Sequence, residues 1–387
     1  MSSYHSAAEL PAPDDDQIEH SSRLIEIIVQ RIADHDGVIS FRDYMQACLY
    51  EPGLGYYAAG ATKLGRHGDF ITAPEISALF GQTWARHIAG LFNQGLTPQI
   101  MEFGAGSGRL ALDILQFFRE QKINWKNYFI LETSSDFQQR QRDLLQQQLS
   151  SEEFDKIRWL DSLPDTFNGM VIGNEVLDAM PVSVVLKEDE WVELGVGFEH
   201  NRFEWKEFSR NSEATQGIQA IDVDNYLPQH YCTEINLNVA PWLQALSDAS
   251  AQVVVELIDY GYPSAQYYHV ERGTGTLLCF YRHRSHPDPF IFPGLQDITA
   301  FVDFDAVADA ALQAGFDIGG LTTQAPFLLA NGVLDSMSSA KDEMQQMALA
   351  QQVKSLTLPG EMGEKFKVIA LQKNLDLMIK GFNEFNG

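Results

Sequence analysis

Cysteine is scarce in this chain: Cys48, Cys232 and Cys279 are the only three, and they stand far apart. They allow neither a disulfide framework nor a zinc-binding spacing, and they fit a reducing compartment. Basic residues are also few. Against 53 aspartates and glutamates stand 27 lysines and arginines, a formal net charge of −26. Such a surface repels phosphate backbones, which argues against a general nucleic-acid binder, while basic targets would be steered toward it. Acidity that only keeps the protein soluble is the plainer alternative. Long apolar runs are missing, so no segment reaches the length of a membrane span. The opening MSSYHSAAELPAPDDDQIEH has neither the apolar stretch of a secretory signal nor the basic character of a transit peptide. The expectation is a cytoplasmic protein that binds neither nucleic acid nor membrane. GxSxG, HExxH and Walker loops are absent. His283 and His286 have no third ligand nearby, so no metal is expected.

What is present reads as a soluble globular protein, 45% hydrophobic and 21% charged. Its 387 residues exceed one simple core, which suggests a main domain plus an insert. Residues 1–17 are polar and read as a disordered tail. Ile18, Leu24, Ile25, Ile28 and Ile32 fall at near-helical spacing over 18–34. Residues 38–75 are rich in glycine, tyrosine and proline and read as a long irregular stretch, a kind that often carries function. A helix follows over 76–93.

After Pro98 the rhythm becomes strand, glycine turn, helix. Strands are expected at 99–103, 127–132, 156–160 and 169–173, with helices through Leu110, Ile114 and Phe117 and over 136–149. Alternation of this kind predicts parallel βαβ units in a doubly wound α/β sheet. Between 182 and 238 three strand-like segments follow one another without helices, which predicts an inserted β-rich segment. The pattern resumes with a helix at 239–249 and the apolar strand QVVVELIDYG; a strand at 274–281 falls within a second excursion, and a helix near 303–314 and strands near 316–323 and 363–372 close the chain. The predicted layout is therefore an N-terminal region over 18–95, a core over 96–181 and 239–387, and an insert over 182–238, with about seven core strands.

The chemistry concentrates at the ends of those strands. Glu102-Phe-Gly104-Ala-Gly106-Ser-Gly108 follows a strand and opens a helix, where glycines let the backbone approach a ligand and helix amides point at it. Nucleotide-binding folds share GxGxG, but the dinucleotide fingerprint needs a further glycine where Arg109 stands, which counts against NAD or FAD. Glu102, just before the loop, suits a ligand with an ammonium group, such as a methionine moiety, better than a pyrophosphate. Glu132 ends the second strand, where a carboxylate can accept both hydroxyls of a ribose. Asp161 ends the third, within reach of an adenine amino group. Three acids at successive strand ends outweigh the alternative that each is a surface or capping carboxylate. The expected cofactor is S-adenosylmethionine, leaving as S-adenosylhomocysteine.

After the fourth strand comes Asn174-Glu175-Val-Leu-Asp178-Ala-Met-Pro181. In doubly wound sheets these positions line the ligand crevice, so Asn174 and Glu175 would emerge beside the methyl group. Transfer to nitrogen is an in-line displacement that needs a lone pair aimed at the sulfonium carbon, and a guanidinium stays protonated at neutral pH. A carboxylate can fix that planar group and take its proton as the transition state forms. Glu175 is the first candidate and Asp178 the second; a plain strand-to-helix cap is the alternative. Asp259-Tyr260 ends another core strand and is read as substrate wall or turn.

Several long motifs carry more information than the glycine loop: GDFITAPEISALFG (68–81), EFGAGSGRLALDIL (102–115), GNEVLDAMPV (173–182), IDYGY (258–262), GTLLCFYRH (275–283), GLQDITAFVDF (294–304) and PGEMGEKFKVIAL (359–371). In this order they resemble the MidA-like family, over about residues 36–372. The resemblance implies a class I methyltransferase fold with a Rossmann-like doubly wound seven-stranded sheet, an N-terminal helical region and an inserted β-rich segment. It also implies that Asp69, Phe70, Thr72 and Ala73 help enclose the cofactor from the N-terminal side. Mitochondrial members of the family are complex I assembly factors and protein-arginine methyltransferases, and this chain resembles a bacterial member. Phe301 departs from the family pattern, which usually has a histidine there, and Ser135 departs from a frequent proline.

The expected function is thus an S-adenosylmethionine-dependent methyltransferase, with a protein arginine as acceptor. A non-catalytic assembly factor and a small-molecule methyltransferase are the alternatives, and a dehydrogenase comes last. A homodimer is expected from the exposed strands of the insert.

Overall fold

The computed structural model describes residues 10–59, 72–335, 337 and 342–382. The chain divides into two compact units. One combines Met1–Phe70, Leu177–Pro241 and Tyr262–Asp303; the other combines Ile71–Val176, Trp242–Gly261 and Phe304–Gly387.

The second unit is built on strands labelled here in chain order: β1 (Gln99–Phe103), β2 (Asn127–Leu131), β3 (Ile157–Leu160), β4 (Phe167–Asn174), β5 (Ser250–Tyr262), β6 (Asp317–Thr323) and β7 (Phe366–Lys373). They lie side by side as β3-β2-β1-β4-β5-β7-β6. The first five are parallel to one another, and β7 runs antiparallel to both β5 and β6. The chain starts at β1, moves outward to β3 and returns to β4, so the winding reverses between β1 and β4. The expected doubly wound α/β sheet is borne out.

Parallel strands covered on both faces must be apolar throughout, and β5 obeys: Val253, Val254, Val255, Leu257 and Ile258 are all buried. Three helices matter for the site: α1 (Ala78–Asn93), α2 (Arg109–Glu120) and α3 (Ser135–Gln148). In α2, Leu110, Ile114 and Phe118 are spaced one turn apart, so they share one face. That face buries them in one cluster with Ile100, Met170, Ile172 and Val254 of the sheet and Phe80, Trp84 and Ile88 of α1. Each such side chain contributes roughly 1.5–3 kcal/mol of burial, which holds the loop ahead of α2 on a rigid base.

In the first unit, segments Ile39–Ser40, Trp191–Glu199, Ser183–Lys187 and Cys232–Ile235 form an antiparallel sheet in that order, and Arg202–Ser209 pairs along Trp191–Glu199. A second sheet places Leu278–Tyr281 between Arg284–His286 and Asp297–Thr299. Leu24, Ile28, Phe41, Tyr44, Val184, Val196 and Ile298 share the core.

The structure differs from the sequence reading in its helices. The first helix begins at Asp15, inside the stretch read as a polar tail. Asp14 accepts from the backbone of Gln17 and Gln17 reaches back to Asp14, a capping box, while Asp15 and Asp16 favour the positive end of the helix. Part of the stretch read as irregular is a helix over Phe41–Tyr50, capped by Ser40. The insert read as helix-free carries a helix over Glu213–Ile221, capped by Ser212 and Thr215. Helices over Gln324–Ala330 and Glu343–Thr357 had no counterpart in the sequence reading.

Candidate active site

The parallel registers bring the strand ends to one level. Phe103 of β1 pairs with Leu131 of β2 and with Gly173 of β4, Leu131 with Leu160 of β3, and Asn174 with Ile258 of β5. The residues that follow therefore emerge together: Gly104 after β1, Glu132 after β2, Asp161 after β3, Glu175 after β4, with Asp259 and Tyr260 near the end of β5. Ligands of doubly wound sheets bind at this carboxyl edge, where the winding reverses.

The glycine loop turns here in the left-handed region, with φ of 58° at Gly104, 53° at Gly106 and 82° at Gly108. An L-residue held there costs about 1–2 kcal/mol. Space is also short: a Cβ on Gly104 would lie 3.2 Å from Val176 Cγ1, and one on Gly108 3.3 Å from Gln141 Cγ. The Gly104 amide donates to Leu131 O at 3.0 Å, tying the loop to β2. Gly108 is the N-cap of α2, so the loop opens directly into a helix N-terminus.

Around the loop sit two buried carboxylates. Glu102 is 2% exposed and accepts from the Tyr128 hydroxyl at 2.6 Å. Burial pushes its carboxyl up to about 7; the Tyr128 hydrogen bond opposes this and the nearby Glu132 adds to it. Glu132, 7% exposed, accepts from the Ser134 amide at 3.0 Å and from Gln141 Nε2 at 3.2 Å. Burial raises its pKa too, against those hydrogen bonds. Neither acid forms an ion pair among the described residues.

Helix α3 links the strand ends. Gln141 Nε2 also donates to Gly106 O at 2.9 Å, while its oxygen accepts from Trp159 Nε1 at 2.9 Å. Gln138, one turn earlier, donates to Glu132 O at 2.7 Å and to Asp161 Oδ1 at 3.2 Å. Asp161 itself is exposed. On the other side of the loop, Ser107 Oγ donates to Glu75 Oε1, from the short helix Ala73–Ile76.

At the end of β4 the backbone does something a side-chain-bearing residue rarely does. Glu175 has φ of 55°, a left-handed conformation that is uncommon outside glycine. Its amide donates to Ile258 O at 2.9 Å, and its carboxylate accepts from Asn174 Nδ2 at 3.0 Å. Both side chains are half-buried. Asp259 is fully buried and accepts from the Tyr260 amide at 2.9 Å.

The remaining candidates separate. Thr72 and Ala73 are buried at the start of the helix that carries Glu75. Asp69 and Phe70 lie outside the described residues. Asp178 belongs to the first unit, where it is buried and its carbonyl accepts from the Ala300 amide at 3.0 Å. Tyr57 in that unit donates to Asp297 at 2.9 Å. Burial pushes the Tyr57 hydroxyl well up, and Asp297, Tyr50 and Asp178 add to the shift.

Sequence reasoning missed Glu75, Tyr128, Gln138 and Gln141. A signal existed for three of them. Glu102 pairs with Ile130, so strand alternation puts Tyr128, two residues earlier, on the same face as Glu102. Gln138 and Gln141 are three apart on a helix that follows Glu132, which puts them on one face. For Glu75 the sequence holds no local signal.

A doubly wound sheet of this order, with an acid-lined glycine loop where the winding reverses, defines a class I S-adenosylmethionine-dependent methyltransferase. The chain belongs to the family described as "Putative S-adenosyl-L-methionine-dependent methyltransferase", whose model matches residues 82–322. It is 39% identical to a Burkholderia thailandensis protein crystallised with S-adenosyl-homocysteine, with a TM-score of 0.92 over 97% of this chain and 98% of that one. Among curated relatives it is 26% identical to the Danio rerio mitochondrial protein arginine methyltransferase NDUFAF7, over 90% of this chain and 89% of that protein. Identity to the Caenorhabditis elegans homologue is 27%, over 94% and 89%. The residues at the loop fit the cofactor on their own chemistry: two buried acids met only by neutral donors leave a negative environment suited to a cationic ligand. No described helix is long and apolar enough to cross a membrane.

Proposed function

We propose that the protein is an N-methyltransferase whose acceptor is an arginine of another protein. The observation that carries this reading is Glu175, a carboxylate held in a strained backbone conformation at the edge where methyl transfer takes place, and steadied by Asn174. Strained conformations cluster at active sites, and of the eleven described non-glycine residues with positive φ, Glu175 is the one at the carboxyl edge of the parallel strands. The names of the mitochondrial relatives support the same acceptor.

The bound cofactor supplies a methyl group on a positively charged sulfur. Around it, Glu102 would meet the ammonium of the methionine moiety, the backbone of Gly104, Gly106 and Gly108 would approach closely, and Glu132 would accept from the ribose hydroxyls. Asp161 would reach the adenine amino group, and Thr72 and Ala73 would help close the pocket. Glu175 would grip the substrate guanidinium through charge-assisted hydrogen bonds. Transfer replaces one N–H of that group by N–CH3 and releases one proton, which the Glu175 carboxylate accepts. Asp259 and Tyr260 would form the wall beside it.

The test is transfer of labelled methyl from S-adenosylmethionine to proteins of a cell extract, with the modified residue identified by mass spectrometry. Label on arginine that Glu175→Gln abolishes is the expected result. Label confined to metabolites would make the protein a small-molecule methyltransferase. No transfer at all, with the cofactor bound and a partner protein retained, would make it an assembly factor.

A further inference from the structure

We propose that a groove on the first unit docks an extended, arginine-bearing segment of the protein substrate, through residues that take no part in methyl transfer. The proposal rests on the arginine-acceptor reading for the identity of its occupant, but on separate observations for the groove.

The groove encloses about 890 Å³ between the helix Asp15–Asp34, the hairpin of Trp191–Glu199 with Arg202–Ser209, and the loop Pro287–Ile291. Its floor is aromatic. Trp205 lies 5.0 Å from Phe290 between ring centroids, and Phe203 lies 6.4 Å from Phe290. Trp205 is 38% exposed, an unusual state for a large aromatic ring already packed on one side. Its walls carry the carboxylates of Glu26 and Asp288 beside the guanidinium of Arg202, while Glu204, also at the groove, is already paired with Lys206 at 2.9 Å. An exposed indole in a groove that also carries the Glu26 and Asp288 carboxylates suits a guanidinium, which stacks on aromatic faces and sheds water more readily than an ammonium does.

The neighbouring backbone adds a second mode of recognition. Arg202–Ser209 pairs with Trp191–Glu199 and, among the described strands, with no other. Its free edge can accept an extended peptide as an added strand, with side chains alternating into and out of the groove. A second copy of this chain is a poor occupant. Each copy carries a formal −26, so pairing would bring acidic surfaces together, whereas a basic segment gains from the same field.

The test measures binding directly. A short fluorescent arginine–serine repeat peptide is titrated with the full-length protein and compared with lysine–serine and glutamate–serine versions. Arginine is expected to bind best, lysine more weakly, and glutamate not at all. Trp205→Ala should weaken the arginine peptide by about tenfold, the strength of a desolvated cation–aromatic contact, while Trp205→Phe retains most of it. Glu26→Lys and Asp288→Lys, both at exposed positions, should weaken it comparably and leave cofactor affinity unchanged; they also serve if Trp205→Ala does not fold. Equal binding of the arginine and glutamate peptides would overturn the proposal. So would unaltered binding by the folded variants, or a shift from dimer to monomer on Trp205→Ala in sedimentation. Methyl transfer is scored separately: peptide binding that the variants lose, without methylation of any arginine by the wild type, sinks the acceptor assignment and keeps the groove.

Discussion

Replacing Glu175 by glycine should cost less stability than replacing it by alanine, the reverse of the usual order. At most positions glycine is worse than alanine by roughly 0.5–1 kcal/mol, because the unfolded chain gains freedom. At φ of 55° the balance changes. A Cβ in the left-handed region costs about 1–2 kcal/mol, and glycine alone removes that cost. Both substitutions lose the hydrogen bond from Asn174, worth roughly 0.5–1.5 kcal/mol, so it cancels from the comparison. The net expectation is Glu175→Gly more stable than Glu175→Ala by about 0.5–1 kcal/mol, with the glycine variant close to wild type. Urea unfolding without cofactor measures it through the midpoint at constant slope. Both variants should also lose methyl transfer by about 10²- to 10⁴-fold, the range of a positioned proton acceptor. Alanine as stable as glycine would show that no strain is stored at this position. Full activity in the glycine variant would remove Glu175 from the chemistry.

Three further outcomes follow from the geometry. Because burial holds the Glu102 carboxyl up to about 7 from an ordinary 4.5, the folded protein keeps a proton that the unfolded chain loses, so stability falls as pH rises between those values. Cofactor affinity should fall below pH 7, by up to about tenfold per pH unit, and Glu102→Gln should flatten both profiles in calorimetry and urea unfolding. The hydroxyl of Ser107 and the carboxylate of Glu75 should be coupled: in a double-mutant cycle on cofactor affinity, Ser107→Ala and Glu75→Ala should be non-additive by about 0.5–3 kcal/mol, and additivity would mean that Glu75 does not hold the loop. In the first unit, buried Lys187 bonds Asp222 at 2.5 Å and Leu227 O at 2.7 Å; Lys187→Met should cost roughly 3–5 kcal/mol in urea unfolding by stranding the Asp222 charge, and a loss near zero would contradict the burial of that pair.

The sheet was legible because buried parallel strands are written as short apolar runs, and runs such as VVVELI leave little choice of structure. The glycine loop was legible because three left-handed turns within five residues admit little but glycine. Helices with weak apolar periodicity were not. Glu343–Thr357 buries only Val353 and Leu356, and Phe41–Tyr50 is followed by glycines and tyrosines that colour the whole stretch as loop. Site residues at strand ends could be picked out by position, since strand, acid and turn are adjacent in the chain. Their partners could not. Glu75 meets Ser107 across 32 positions, and Gln141 meets Gly106 across 35, contacts that only the packing of the helices creates. Asp178 shows the limit from the other side: three residues beyond Glu175 in one motif, it belongs to a different compact unit.

The acids of this chain do two different things, and their partners tell them apart. Asp222 is buried against a lysine and a backbone amide, so its charge is compensated within the fold and its role is structural. Glu102 and Glu132 are equally buried, yet the donors that meet them are a phenol, a backbone amide and a glutamine, none of which carries charge. Burying a carboxylate without a cation is unfavourable, and the raised pKa values of both groups express that cost. A fold gains nothing from such an arrangement in isolation; hydrophobic residues in those positions would be more stable. On the roles proposed for these acids, an ammonium at Glu102 would relieve its charge, while ribose hydroxyls would add neutral donors to Glu132. The raised pKa of Glu102 and its proposed role toward a cationic ligand are thus two readings of the same uncompensated charge.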